Sequence, residues 1–287
     1  MILTAIISLG GIGITGAVLL YAASKKFEVY EDPRIAQVQD VLPAANCGGC
    51  GYPGCSGFAT ACVNADSLDN LLCPVGGVEV MNKVSTILGK EAGKADPMIA
   101  VVRCNGACEA RPHTNQYDGA QNCAIASSLY GGETGCSYGC FGYGDCVTSC
   151  LFGAIHINPE TLLPEVIDDK CTACGACVKA CPKSIIELRK KGPKSRRIYV
   201  GCVNQDKGGV ARKACNHACI GCSKCEKECQ FEAIAIANNL AYIDPMKCRL
   251  CRKCVPVCPT NSIIETNFPP RKEKVTEDNS ANNQLII

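Results

Sequence analysis

The sequence predicts an α+β chain assembled from small modules: one amino-terminal helix, a compact four-cysteine domain, and a duplicated unit of short helices and strands. Three observations predict it. Residues 1 to 24 carry no charged side chain, 26 of the 287 residues are cysteine in closely spaced groups, and the stretch from 100 to 267 repeats itself. The 47% hydrophobic fraction includes those cysteines, and with no Trp, 6 Phe and 9 Tyr there is no material for one large aromatic core. Lys and Arg number 29 against 27 Asp and Glu, so no overall basic field exists for grasping nucleic acid.

The first element is the apolar helix. Ile2 to Ala23 is an unbroken run of apolar, Gly, Ser and Thr residues, about 33 Å long as a helix and therefore enough to span a bilayer. Lys25 and Lys26 follow directly, and positive-inside logic places the rest of the chain in the cytoplasm. A cleaved signal peptide carries its positive charge before a shorter apolar stretch. Residues 1–26 are accordingly expected as a single-pass anchor in the cytoplasmic membrane, with a linker over 27–42. Gly11, Gly13 and Gly16 also read as G-x-G-x-x-G, with Glu31 and Asp32 downstream. A dinucleotide fold needs further alternating strands and helices, whereas by Pro43 the chain has entered glycine- and cysteine-rich sequence.

The second element, 43–77, contains Cys47, Cys50, Cys55 and Cys73, the last followed by Pro74, with glycines at 48, 49, 51 and 54 between the first three thiols. Disulfide frameworks belong to small secreted domains, and thiols spaced this closely favour metal. Glycine lets the backbone turn tightly around a cluster and aim amide groups at its sulfurs. Four thiolates make one complete [4Fe-4S] site. Cys62, inside an expected helix over 56–64, is left out of the set and reads as a small buried hydrophobe. The run from Ala45 to Cys55 resembles the small four-cysteine domain of the B subunits of Rnf electron-transport complexes and of corrinoid iron–sulfur proteins. A helical linker, 78–99, follows, with an amphipathic helix over 79–88 that presents Val80, Val84, Ile87 and Leu88 and stops at Gly89.

The third and fourth elements are the repeat, 100–189 and 198–267. Ala100 to Cys104 corresponds to Ile198 to Cys202, and Cys136 and Cys140 correspond to Cys215 and Cys219. Cys146, Cys150, Phe152, Ala154 and Ile155 then match Cys225, Cys229, Phe231, Ala233 and Ile234. Cys171, Cys174, Cys177, Cys181 and Pro182 spell C-x2-C-x2-C-x3-C-P, the iron–sulfur run whose fourth cysteine ligates the other cluster. Zinc sites instead pair one C-x2-C with another. Each copy is in outline a bacterial two-cluster ferredoxin.

Ligands follow from that exchange of the fourth cysteine. In the second copy Cys219, Cys222, Cys225 and Cys258 make one set, and Cys248, Cys251, Cys254 and Cys229 another. In the first, Cys171, Cys174, Cys177 and Cys150 make a third. The remaining set, Cys140, Cys146 and Cys181, has a gap, because Tyr143 stands where the repeat has Cys222. Cys136 is the nearest candidate; a three-iron cluster or an open coordination site are the alternatives. Five [4Fe-4S] clusters are expected, with a sixth on Cys104, Cys108, Cys123 and Cys136 left open because it competes for Cys136. Cys202 and Cys215 fall outside every set. The scattered His113, His156 and His217 form no catalytic constellation.

A cubane exchanges one electron with little change in shape, so several in one chain make a relay. Five of them shift the formal charge from +2 to about −8. One anchor, one four-cysteine domain and two tandem ferredoxin-like modules together resemble the B subunits of Rnf ion-translocating complexes, over residues 1 to about 267. The resemblance implies a component of a ferredoxin:NAD+ oxidoreductase that relays electrons between soluble ferredoxin and flavin- and nicotinamide-bearing subunits, alongside membrane subunits. No flavin or nicotinamide site is visible in the chain itself. Competing readings are an iron–sulfur subunit of another membrane oxidoreductase such as a hydrogenase, a cluster-assembly scaffold and a structural zinc protein. The basic run from Leu188 to Arg197, its 190–197 portion lying between the copies, reads either as a solvated linker or as a patch that steers an acidic ferredoxin. The polar tail, 268–287, is expected to be a disordered extension.

Overall fold

The computed structural model describes residues 2–26, 32–91, 93 and 96–271. Residues 27–31 of the expected linker, Glu31 among them, and the tail from 272 onward lie outside the described residues. The first helix, α1, runs Ile2–Lys26 and carries Lys25 and Lys26 in its last turn, where their charge complements the carbonyl end. Gly11, Gly13 and Gly16 sit within this helix rather than at a strand-to-helix turn, which removes the dinucleotide reading. Among the described residues no helix is long and apolar enough to cross a membrane. The side chains described in α1 are those of residues 10, 11 and 13–26, so the span expected over Ile2 to Ala23 is only partly among them.

Three helices build the four-cysteine domain. α2 (Pro33–Val41) starts at Asp32, whose carboxylate accepts the Arg34 N–H at 2.9 Å, with Pro33 in the first turn. α3 (Gly54–Asn64) and α4 (Gly77–Leu88) follow. Gly89 ends α4 at φ 63°, the left-handed stop expected of it. Val38, Phe58, Cys62, Leu68, Met81 and Val84 bury between these helices, and Cys62 is the packing thiol its position suggested. Lys90 closes α3 at its carbonyl end, donating from Nζ to Cys62 O and Val63 O at 2.9 Å and also to Ala65 O.

The duplication is visible in the strand pairing. β1 (Met98–Val102), α5 (Cys123–Leu129), α6 (Asp145–Thr148), β2 (Ile155–Ile157), β3 (Pro164–Val166), α7 (Ala176–Ala180) and β4 (Ile186–Lys190) make the first copy. β5 (Arg197–Val200), α8 (Gly208–Ala214), α9 (Lys224–Glu228), β6 (Ile234–Ala237), β7 (Leu240–Ile243) and β8 (Ile263–Thr266) make the second. In each, an antiparallel outer pair, β1 with β4 or β5 with β8, encloses an antiparallel inner pair, β2 with β3 or β6 with β7.

Strand alternation decides how the copies meet. Ala100 and Val102 of β1 pack with Ile155, Ile185 and Ile186 of their own module, while Ile99 and Val101 point the other way and pack on Tyr199 of β5. Ile198 and Val200, flanking Tyr199, turn back into the second core with Ile234, Ile243 and Ile263. Every residue of β1 after Met98 and every residue of β5 is therefore buried.

The two ends of the basic run between the copies are not solvated. Arg189 and Arg197 are 2% and 7% exposed. Arg189 donates to Ile198 O at 3.1 Å and to Ile243 O, and its Nε lies 2.7 Å from the Glu187 carboxylate. Arg197 makes a two-pronged pair with Asp168 at 2.7 and 2.8 Å. Burial of a guanidinium is tolerable because carbonyls and carboxylates surround it. Arg189 and Arg197 tie the two modules together, whereas Lys190, Lys191 and Arg196 are half-buried and Lys194 is exposed.

Candidate metal centres

Four hollows of 320 to 390 Å³, open mouths included, recur in the two modules, each lined by four cysteines. One is ringed by Cys150, Cys171, Cys174 and Cys177, a second by Cys229, Cys248, Cys251 and Cys254, and a third by Cys219, Cys222, Cys225 and Cys258. These are the three complete sets expected from spacing, brought together by the exchanged fourth cysteine. Among the described residues no three His, Cys, Asp or Glu side chains close around a single ion. The thiols ring a cluster-sized space, which fits a polynuclear iron–sulfur group better than tetrahedral zinc.

Backbone amides point at these sulfurs. Ala154 N donates to Cys150 Sγ at 3.3 Å, Ala241 N to Cys219 Sγ at 3.4 Å and Ser262 N to Cys258 Sγ at 3.3 Å. Such donors stabilise a thiolate and raise the potential of whatever it ligates. Burial pushes the thiols of Cys140, Cys146 and Cys254 up to about 12 and those of Cys177 and Cys225 to about 11. At Cys258 burial also pushes upward, but the amides of Thr260, Ser262 and Ile263 outweigh it and the net shift is downward. A metal entering most of these sites must displace protons.

The fourth hollow corrects one expectation. Cys140, Cys146 and Cys181 line it as expected, and the thiol that completes the ring is Cys123, not Cys136. Cys123 opens α5, whose Asn122 cap accepts the Ile125 N–H at 3.0 Å. Asp145, in the motif itself, accepts the N–H groups of Cys123 and Ala124 at 2.9 and 3.1 Å and so clamps the start of α5 over the cysteine loop. Tyr143 occupies the place of the missing ligand and stacks on Phe141 at 5.8 Å, with Tyr117 and Tyr130 continuing the aromatic layer. The signal in the sequence was the gap itself, but nothing in the spacing said which distant thiol would fill it.

The four-cysteine domain packs Cys50, Cys55 and Cys73 against one apolar core, and Cys47 precedes Cys50 by three residues. Gly76 N donates to Cys73 Sγ at 3.3 Å, and Asn46 Oδ1 accepts the Cys55 N–H at 2.8 Å. Gly49 sits against the first module: a Cβ there would fall 2.7 Å from Cys174 O, so only glycine permits this approach. The loop between Cys47 and Cys50 therefore abuts the Cys171–Cys177 loop. Cys108 packs separately, its Sγ 3.7 Å from Thr161 O. His113 and His156 pair with surface glutamates at 3.9 and 3.7 Å, and His217 meets Thr260 O at 3.1 Å. The cysteines expected outside every ligand set, Cys202 and Cys215, are both buried, as is Cys136.

Residues 42–74 match a family described as a putative Fe-S cluster, and residues 136–182 and 218–262 each match a 4Fe-4S dicluster domain. The chain is 47% identical over 255 residues to the B subunit of the Na(+)-translocating ferredoxin:NAD(+) oxidoreductase complex of Acetobacterium woodii, covering 89% of this chain and 75% of that one. It is 39% identical over 263 residues to the B subunit of the ion-translocating oxidoreductase complex of Methanosarcina acetivorans, covering 92% and 98%. The B subunit of the proton-translocating ferredoxin:NAD(+) oxidoreductase complex of Clostridium ljungdahlii is 39% identical over 252 residues, 87% of each chain.

Proposed function

The chain belongs to the family of B subunits of ion-translocating ferredoxin:NAD+ oxidoreductase complexes, and we propose that within such a complex it is the electron relay between ferredoxin and the flavin- and NAD-bearing subunits. The observation that carries this reading is the recurrence of one site, four cysteines around an apolar hollow of nearly constant size, in both halves of the chain. A bound [4Fe-4S] cluster supplies a one-electron carrier whose shape hardly changes. The ligand sets are Cys47, Cys50, Cys55 and Cys73; Cys150, Cys171, Cys174 and Cys177; Cys123, Cys140, Cys146 and Cys181; Cys219, Cys222, Cys225 and Cys258; and Cys229, Cys248, Cys251 and Cys254. The protein's part is to hold these thiolates, aim amides at them and keep adjacent sets close. Gly49 brings the amino-terminal set against the first module, and the exchanged ligands Cys150, Cys181, Cys229 and Cys258 tie the two sets of each module together.

Anaerobic preparations should carry at least about 20 iron and 20 sulfide per chain, with a broad visible absorbance that reduced ferredoxin bleaches. Fewer than about 12 iron after careful reconstitution sinks the double-module assignment.

The helix over Ile2–Lys26 is the membrane anchor, with the cysteine modules cytoplasmic. The uncharged run in its sequence and the lysine pair that ends it support this. Deleting residues 1–26 should give a coloured protein that leaves the membrane fraction; carbonate extraction that frees the full-length chain contradicts a spanning helix.

A further inference from the structure

The internal repeat builds one loop twice, and the two copies have different neighbours. Cys171, Cys174 and Cys177 of the first module correspond to Cys248, Cys251 and Cys254 of the second. The first loop is covered by the four-cysteine domain, whose Gly49 approaches so closely that a Cβ there would fall 2.7 Å from Cys174 O. Such contact needs small side chains, and the residues between these cysteines are Thr172, Ala173, Gly175 and Ala176. The second loop has Arg249, Leu250, Arg252 and Lys253 in the same places. Its backbone is alike: Ala173 and Leu250 both lie at φ 57°, and Gly175 at 77° is matched by Arg252 at 66°. A left-handed backbone disfavours a side chain, so the second loop holds a cation where glycine fits more easily. Cys251, Arg249 and Lys253 are exposed, whereas Cys174 is half-buried.

The charge on the second loop is one-sided. Lys247, Arg249, Arg252 and Lys253 fall within 245–264, a stretch with no Asp or Glu, whereas Asp168 and Asp169 precede the first loop. Arg252 is paired with Glu265 at 2.6 and 2.8 Å, and Arg271 meets the same carboxylate at 3.0 Å, so that group leaves a net positive charge. Lys253 Nζ donates to a neutral acceptor, Gln230 Oε1, at 2.9 Å. Arg249, Arg252 and Lys253 line the hollow ringed by Cys229, Cys248, Cys251 and Cys254, together with the exposed Phe231. Glu228 is the only carboxylate lining it among the described residues.

We propose that the Cys248–Cys254 loop is the docking surface for soluble ferredoxin, which sets its own cluster loop over Cys251 as the four-cysteine domain sets Gly49 over Cys174. Arg249, Lys253 and Lys247 pair with its carboxylates, and Phe231 gives the contact an apolar centre. This rests on the relay reading and adds to it which site of the chain takes the electron first. The partner's chemistry follows from charge: two oxidised cubanes alone give a ferredoxin about four negative charges. Tethering explains why the cations stand on this loop and not on the first. The four-cysteine domain is held to its loop by the chain itself, whereas a mobile carrier has to be drawn in through solvent, and fixed charge does that. On contact reduced ferredoxin loses one electron and the site at Cys229, Cys248, Cys251 and Cys254 gains it, with no bond made or broken.

The test is anaerobic stopped-flow reduction of the full-length chain in its membrane complex, by reduced ferredoxin and separately by dithionite. It compares the wild type, Arg249→Glu with Lys253→Glu, and a control carrying Lys170→Glu with Lys179→Glu beside the first loop. At low salt ferredoxin should reduce the first variant at least about tenfold more slowly than the wild type, and the gap should narrow as salt screens the charges. Iron content and the dithionite rate should match in all three, and the control should keep the wild-type ferredoxin rate. Carbodiimide coupling of the wild type should join ferredoxin carboxylates to Lys253 or Lys247. An unchanged low-salt rate in the first variant, or equal slowing in the control, overturns the proposal and leaves the relay reading standing. Cross-links that join ferredoxin elsewhere, or that join Lys253 to another subunit of the complex, do the same, and they decide alone should the first variant lose iron. A wild type that ferredoxin does not reduce at all overturns the relay reading as well.

Discussion

The two modules follow one pattern and differ at one of the cysteines that ring their hollows. In the second, Cys222 comes from within the motif, three residues after Cys219, and is exposed, as is Cys251 of the neighbouring set. In the first, Tyr143 replaces it and Cys123 arrives from a helix 17 residues before Cys140. The consequence is a change of surroundings. Cys123 and Cys146 are buried, in a hollow that Phe141 also lines, whereas the second module leaves one cysteine of each set exposed. A thiol supplied from outside the motif thus leaves the ring of cysteines less exposed than its counterpart in the second module.

The substituted ligand should give the largest effect. Cys123→Ala should remove the cluster at Cys140, Cys146 and Cys181 or leave it as a three-iron form, a loss of about one to four iron. Adding Tyr143→Cys to that variant should restore it by returning the repeat's own ligand. Full iron content and a cubane spectrum in Cys123→Ala would show that the two modules do not differ in this way.

Next comes the junction on which both modules depend. Arg189 belongs to the first copy but donates to Ile198 O and Ile243 O of the second. Arg189→Leu leaves those carbonyls and Glu187 without their partner and should destabilise the protein by about 3–5 kcal/mol, read as a lower denaturation midpoint under anaerobic conditions. A change under about 1 kcal/mol would mean the modules hold together without it.

Exposure separates the modules further. Under a chelator or mild oxidant, clusters at Cys222 and Cys251 should bleach roughly tenfold faster than the one behind Cys123, because susceptibility follows access to the sulfur. EPR time courses distinguish the sites, and equal rates argue that Tyr143 shields nothing.

A weaker effect lies on β8. Hydrogen bonds from Arg252 and then Arg271 hold the Glu265 carboxyl down to about 2 from 4.5. A depressed carboxylate contributes stability above its unfolded value and loses it as pH falls toward the folded one. Glu265→Gln should therefore cost about 1 kcal/mol at neutral pH, and its difference from wild type should shrink between about pH 4.5 and 2. A pH-independent difference points to packing instead.

Most of the chemistry was legible in the amino-acid sequence because cluster ligands come in short, rigid spacings. Cys171, Cys174, Cys177 and Cys181 declare themselves within eleven residues, and a loop that short has few ways to place four thiols. The duplicated order of cysteines likewise meant that strands would recur, and Gly89 that α4 would stop. The rest came from tertiary packing. Cys136 lies four residues before Cys140 and Cys123 seventeen, yet the farther thiol lines the hollow, its helix clamped there by Asp145. The basic run looked solvated because charge in a sequence carries no record of acceptors, and the carbonyls that Arg189 needs lie 9 and 54 residues away. Local spacing is written in the chain, whereas a contact between distant segments exists only once strands have paired and turned alternate faces toward each other.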